Sequence, residues 1–165
     1  EGATLFTCPG GAGATSRPGR PVMVVSSTSW TKDEDFGLLL KAIELLEERS
    51  RREDSGLPPA LFVITGKGPE KAMYEEMMRK MDLRRTHVCT MWLEPADYPL
   101  LLGSADLGIC LHTSTSGLDL PMKVVDMYGC GLPVCAVGFS CLHELVRHDE
   151  NGLVFKTSEE LADQL

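Results

Sequence analysis

His112 to Ala136, HTSTSGLDLPMKVVDMYGCGLPVCA, is the stretch whose reading decides the fold. It follows a buried-strand pattern at Asp106 to Leu111, runs through a Ser/Thr/Gly loop, starts a helix at Pro121 and ends in a second buried strand, Pro133 to Val137. A loop at the carboxyl end of a parallel strand that delivers a helix N-terminus makes an anion site, because the first turn carries unpaired N–H groups and a partial positive charge.

The same alternation extends outward. Short apolar runs at Val22 to Ser26, Leu61 to Thr65, His87 to Thr90 and Leu153 to Phe155 read as further strands. Between them lie helix-period segments. Thr31 and Glu34 have the spacing of a capping box, and Phe36, Leu39, Leu40, Ile43 and Leu46 recur on one face, which predicts a helix to about Arg52. A second helix is expected from Pro69, with Met73, Met77 and Met81 stacked on a core-facing side. Shorter helices are expected near Ala96 to Gly103, Cys141 to Arg147 and Thr157 to Leu165. The class is α/β, a Rossmann-like parallel sheet with helices on both faces.

With 165 residues, 43% of them hydrophobic and 24% charged, the chain has the size of one domain with a sizeable core. Residues 1 to 20, rich in Gly, Pro, Ser and Thr, are expected to be a flexible linker or loop, and the folded domain to occupy 21 to 165. A net charge of −8 without a basic run argues against nucleic acid as a partner. No apolar stretch approaches the ~18 residues of a membrane span. The start at Glu1 and the uncapped last helix predict a fragment, truncated at both ends relative to a longer protein. The six cysteines form no CxxC pair and mostly sit in apolar patterns, which favours free thiols in a reducing setting.

Ligand sites of such a sheet lie in the loops after its strands. After the first strand come Ser26, Ser27, Thr28 and Ser29, whose hydroxyls suit either phosphate and sugar oxygens or the caps of the next helix. No GxGxxG or GxxxxGK[ST] is present, so neither a dehydrogenase nor a P-loop enzyme is supported. Asp33-Glu34-Asp35 has the form of a metal-holding DxD motif, but carboxylates in a first helical turn also offset the helix dipole. Gly66, Lys67 and Gly68 open the second helix, where backbone can approach a ligand and Lys67 offers charge. Trp92 is placed either to wall a base pocket or to pack on the surface.

The opening stretch supplies the strongest set. Ser114, Thr115, Ser116 and Gly117 form a donor-rich loop, Asp119 and Leu120 lead to Pro121, and Lys123 falls in the helix's first turn. Asp126 lies about one turn on, where a carboxylate can accept two hydrogen bonds from a ribose diol. Its neighbours Val124, Val125, Met127 and Cys130 predict partial burial. His112 directly follows the strand and is a candidate sugar or phosphate contact; His143 with Glu144 begins a later helix. No GxSxG elbow supports a hydrolase.

SSTSWTKDEDF, VITGKGP, LLLGSADLGICLHTSTSGLDLPMKVVDMYGCGLPVCA and CLHELVRHDENGLVF together resemble the donor-binding half of the dolichol-pathway beta-1,4-mannosyltransferases, over residues 21 to 165. The resemblance implies the C-terminal half of a GT-B glycosyltransferase, with GDP-mannose as donor, no cofactor and no metal. It implies transfer to chitobiosyl-diphosphodolichol with inversion at the cytosolic face of the endoplasmic reticulum, in N-glycan precursor assembly and in association with other transferases of that pathway. The membrane anchor, the surface for the lipid-linked acceptor and the general base are implied to belong to the N-terminal half. Expressed alone, the chain would be cytoplasmic and inactive.

GT-B enzymes commonly carry two Glu residues with seven intervening residues. By resemblance, Asp126 takes the second position and the ribose role. The first position falls on Leu118, with Asp119 one residue late, and the Arg and Lys that many relatives place after the first strand are absent, leaving Lys123 and Lys67 as phosphate charges. Two alternatives stand beside this reading: a non-catalytic truncated paralogue that serves as an interaction module, and a domain for another nucleotide sugar.

Overall fold

The computed structural model describes residues 2–11, 13–114 and 116–165. Thr115 of the candidate site lies outside the described residues. Among the described residues, eight strands and five helices follow in chain order: β1 (Thr7–Gly10), β2 (Gly13–Ser16), β3 (Val22–Ser27), α1 (Phe36–Ser50), β4 (Ala60–Thr65), α2 (Lys71–Lys80), β5 (Thr86–Met91), α3 (Tyr98–Ser104), β6 (Leu107–Cys110), α4 (Met122–Gly129), β7 (Val134–Val137), β8 (Leu153–Phe155) and α5 (Ser158–Gln164). A 3-10 turn at Leu142–Glu144 stands where the sequence predicts a helix over 141 to 147.

Strands β3 to β8 form one parallel sheet in the order β5-β4-β3-β6-β7-β8. Adjacent residues on a strand point to opposite faces, so each central strand feeds two cores. Val24, Ile109 and Cys135 face a core with Leu39 and Ile43 of α1, Tyr74 of α2 and Leu161 of α5. Val25, Cys110 and Ala136 face another with Leu102 of α3 and Val124 and Met127 of α4. Burying each of the larger of these side chains contributes roughly 1.5–3 kcal/mol, which is why the strands read as continuous apolar runs.

The order of the strands locates the site. From β3 the chain steps to β4 and β5 on one side; from β6 it steps to β7 and β8 on the other. The loops after β3 and β6 therefore leave the central pair in opposite directions, and a crevice opens at their carboxyl ends.

Residues 7–10 and 13–16, within the segment read as a linker or loop, pair as the antiparallel hairpin β1-β2. One expectation is corrected: of the three stacked methionines only Met81 packs against the core, as Met78 does, while Met73 and Met77 are 51% and 44% exposed and Tyr74 supplies the buried contact of α2. Periodicity gave the helix but placed the wrong side inward.

Candidate functional site

A buried carboxylate organises the crevice. Glu34 is 2% exposed and pairs as an isolated antiparallel bridge with His112, while the backbone N–H and hydroxyl of Thr113 both donate to the Asp33 carbonyl, at 3.2 and 2.9 Å. The loops after β3 and β6 are thus laced together. One oxygen of Glu34 accepts from the Thr28 hydroxyl and from the Ser29 N–H at 2.8 Å; the other accepts from the Lys123 ammonium, brought in by the first turn of α4. Paired in this way, the carboxylate meets the condition under which a charge can be buried.

This overturns the capping-box reading of Thr31 and Glu34. Asp35 caps α1, accepting from the Gly37 N–H at 2.8 Å, and the helix starts at Phe36. It also takes the DxD motif apart. Asp33 lies 3.3 Å from the His112 ring, Glu34 points inward and Asp35 caps the helix. Thr31 and, more weakly, His112 and Lys123 hold the Asp33 carboxyl below the usual carboxylate range. Among the described residues no group of three or more His, Cys, Asp or Glu is placed to hold a metal ion.

The hydroxyls after β3 serve the protein itself. Ser26 donates to the Ile109 carbonyl at 3.0 Å, Ser27 bonds the Tyr98 hydroxyl at 2.9 Å, and Thr28 accepts from the Trp30 N–H at 2.7 Å while donating to Glu34. Ser27 and Thr28 are buried, so they act neither as caps of α1 nor as open donors. Trp30 adopts φ 51°, a costly conformation for a side chain with a Cβ, and is held there by stacking on Phe36 at 4.6 Å.

Gly66 and Gly68 permit a close approach to the first loop. A Cβ on Gly66, whose φ is +133°, would stand 1.8 Å from the Thr28 carbonyl oxygen, and one on Gly68 would stand 1.7 Å from that of Ser29. Lys67 is exposed and sits 3.9 Å above the exposed Trp92 ring in a cation–π contact.

The loop before α4 is closed by Asp119. Its carboxylate accepts from Ser116 at 3.0 Å and Ser114 at 3.4 Å, and its N–H donates to the Ser114 hydroxyl at 3.1 Å. Gly117 turns the loop at φ +74°, and Ser140, after β7, donates to its carbonyl at 2.9 Å. Leu120 is half-buried, Pro121 is buried at the N-cap position, and no side chain caps the helix there. The Val124 N–H donates to the Pro121 carbonyl at 3.0 Å, which leaves those of Met122 and Lys123 to face a ligand or water.

Asp126 is exposed, as is Val125, so the expected partial burial does not occur; Val124 and Met127 alone carry the buried face. Its charge is felt by Tyr98, whose hydroxyl is pushed up mainly by burial, with Asp126 adding to the effect. Ser27 and Tyr98 thereby form a second pair of contacts beside the crevice. Nothing in the sequence singled out Tyr98, and Glu34 was mistaken for a cap.

A cavity adjoins this centre. It measures about 640 Å³, lies between Ser140, Leu142, His143, Val146, Val154 and Lys156 and meets the Gly117 turn through Ser140. Another of about 630 Å³, beside Tyr128, Pro133, Asn151 and Gly152, opens at the amino ends of β7 and β8. That edge is opposite to the one where parallel sheets hold ligands, so its size alone does not make it the site. The cysteines are all free, and burial pushes Cys110 and Cys135 up to about 11, which makes both poor nucleophiles.

Residues 14–165 match the family model described as glycosyl transferases group 1. The chain is 65% identical to the chitobiosyldiphosphodolichol beta-mannosyltransferase of Mus musculus over 89% of its own length and 30% of that protein. It is 56% identical to the UDP-glycosyltransferase TURAN of Arabidopsis thaliana, over 98% of its own length and 37% of that protein. It therefore spans about a third of these relatives. The fold is similar to that of a glycosyltransferase from Rickettsia africae ESF-5, with a TM-score of 0.70 and 12% identity over 89% of this chain and 37% of that one. Six parallel strands, helices on both faces and a crevice at the β3/β6 switch are the architecture of one half of a GT-B enzyme. On the extent of the family match, the chain belongs to the glycosyl transferases group 1 family.

Proposed function

We propose that this chain is the donor-binding domain of a mannosyltransferase that takes GDP-mannose. The observation that carries the reading is the amino end of α4 at the switch point, uncapped by any side chain and holding Lys123 in its first turn, with Asp126 exposed one turn on. Such an end suits a diphosphate, and an exposed carboxylate beside it suits a ribose diol. The 65% identity to the mouse beta-mannosyltransferase supports mannose as the sugar.

In the complete enzyme, mannose passes from the alpha-linked donor to chitobiosyl-diphosphodolichol with inversion, by displacement at the anomeric carbon. Negative charge then grows on the leaving diphosphate, and the helix N–H groups and Lys123 stabilise it there without a metal or cofactor. The acceptor, the general base and the attachment to the endoplasmic reticulum's cytosolic face belong to the other half, as do contacts with further transferases of the pathway. Among the described residues, no helix is long and apolar enough to cross a membrane. The isolated chain binds donor and catalyses nothing.

Calorimetric titration with GDP, GDP-mannose and UDP tests this. GDP should bind, and Asp126→Ala should weaken it by ~1–3 kcal/mol through loss of a charged hydrogen bond. Unchanged affinity in the folded variant removes Asp126 from the site. The name of the Arabidopsis relative favours a second reading, a uridine nucleotide as donor, and tighter UDP than GDP binding would select it. A folded chain that binds neither nucleotide would instead be an interaction module.

A further inference from the structure

The Glu34–Lys123 pair is lopsided. The Glu34 side chain is 1% exposed and fixed by Thr28 and Ser29, whereas Lys123 is 24% exposed at the mouth of the crevice. A carboxylate held on three sides cannot follow an ammonium that moves. An anion arriving at the amino end of α4 would meet Lys123 from its open side with the buried charge still in place behind it. The anion would then share its cation with a fixed negative charge a few ångströms away, in a region where such repulsion is poorly screened.

From this geometry we infer that Glu34 is a positioning residue that acts through Lys123 as a competing counter-ion, limiting how tightly the site holds a nucleoside diphosphate. The inference rests on the donor-site reading above. Its consequence for turnover is product release. A site that stabilises charge on a leaving diphosphate would otherwise retain it, and release commonly limits well-developed transferases. Glu34 holds the Lys123 ammonium at the crevice while weakening its grip on the free product.

A merely structural role makes the opposite forecast. If Glu34 only braced the loops, removing its charge would loosen the site and weaken binding. Calorimetry of Glu34→Gln with GDP and UDP, alongside thermal unfolding, separates the two. The variant should melt below wild type, because a buried pair is broken, yet bind its nucleotide about 3- to 10-fold tighter. Equal or weaker binding in a folded variant overturns the inference.

Should Glu34→Gln fail to fold, the double variant Glu34→Gln with Lys123→Met takes its place, since removing both charges avoids a stranded partner. Its affinity should stay within about threefold of wild type if the pair is nearly neutral toward the ligand, whereas any greater loss would mean that Lys123 was fully available and refute the competition. If neither wild type nor variants bind GDP or UDP at millimolar concentration, the donor reading fails and the inference with it.

Discussion

Glu47 is the clearest place to test the energetics of the fold. Its carboxylate, on α1, is 3% exposed and accepts from Arg51 Nε at 2.8 Å, Arg84 N at 3.0 Å, Arg85 N at 3.1 Å and Thr86 N at 2.8 Å. It thereby fixes the residue where β5 begins. Burial would push this carboxyl up, but the Arg51 side chain and the three N–H groups outweigh that and hold it at about 2, against an ordinary 4.5. The carboxyl is depressed in the folded state, so its contribution is complete above pH 4.5 and is lost as pH falls toward 2. The difference of 2.5 between those two values corresponds to about 3 kcal/mol at pH 7, falling to about 2 kcal/mol at pH 3.5. Glu47→Gln keeps the size and removes the charge. Urea unfolding of both proteins should show a gap of about 3 kcal/mol at pH 7 that narrows by about 1 kcal/mol at pH 3.5, and a melting point about 6–12 °C lower at neutral pH. A gap below ~1 kcal/mol at pH 7, or one that does not narrow, would refute the reasoning.

Other consequences are local. Gly66→Ala and Gly68→Ala should each destabilise by more than about 2 kcal/mol in urea unfolding, because the new methyl meets the backbone of Thr28 or Ser29. Tolerance of either would mean that the two loops are not in contact. Cys110 and Cys135 should stay unmodified by a thiol reagent at pH 8 until the protein is unfolded, since burial holds both up to about 11. Reaction of either in the native state would contradict the packing of β6 and β7.

The sheet was legible because its signal is local. Runs such as Val22 to Ser26 and Leu61 to Thr65 are apolar on both faces, and strands buried on both faces must be. The start of α4 was legible to within one residue, since proline is suited to a helix entrance; it stands at the N-cap with extended backbone, just before Met122. What failed depended on partners far along the chain. Glu34 matches a capping box in sequence, but pairing with His112 and Lys123 draws it inward, and neither contact leaves a local trace. Tyr98 escaped notice for the same reason, its partner being the distant Ser27. Asp126 and Met73 were misjudged because a helical period locates a face without saying how wide the buried stripe is.

The central claim is that the carboxyl ends of β3 and β6 hold a nucleotide. Nuclear magnetic resonance of the isotopically labelled chain, titrated with GDP, tests it most directly. The account predicts amide shifts concentrated at Thr28, His112, Ser116 to Lys123 and Asp126, with the cavity beside Tyr128 and Gly152 at the opposite edge undisturbed. Shifts gathered at that opposite edge, or none with either GDP or UDP, would contradict it.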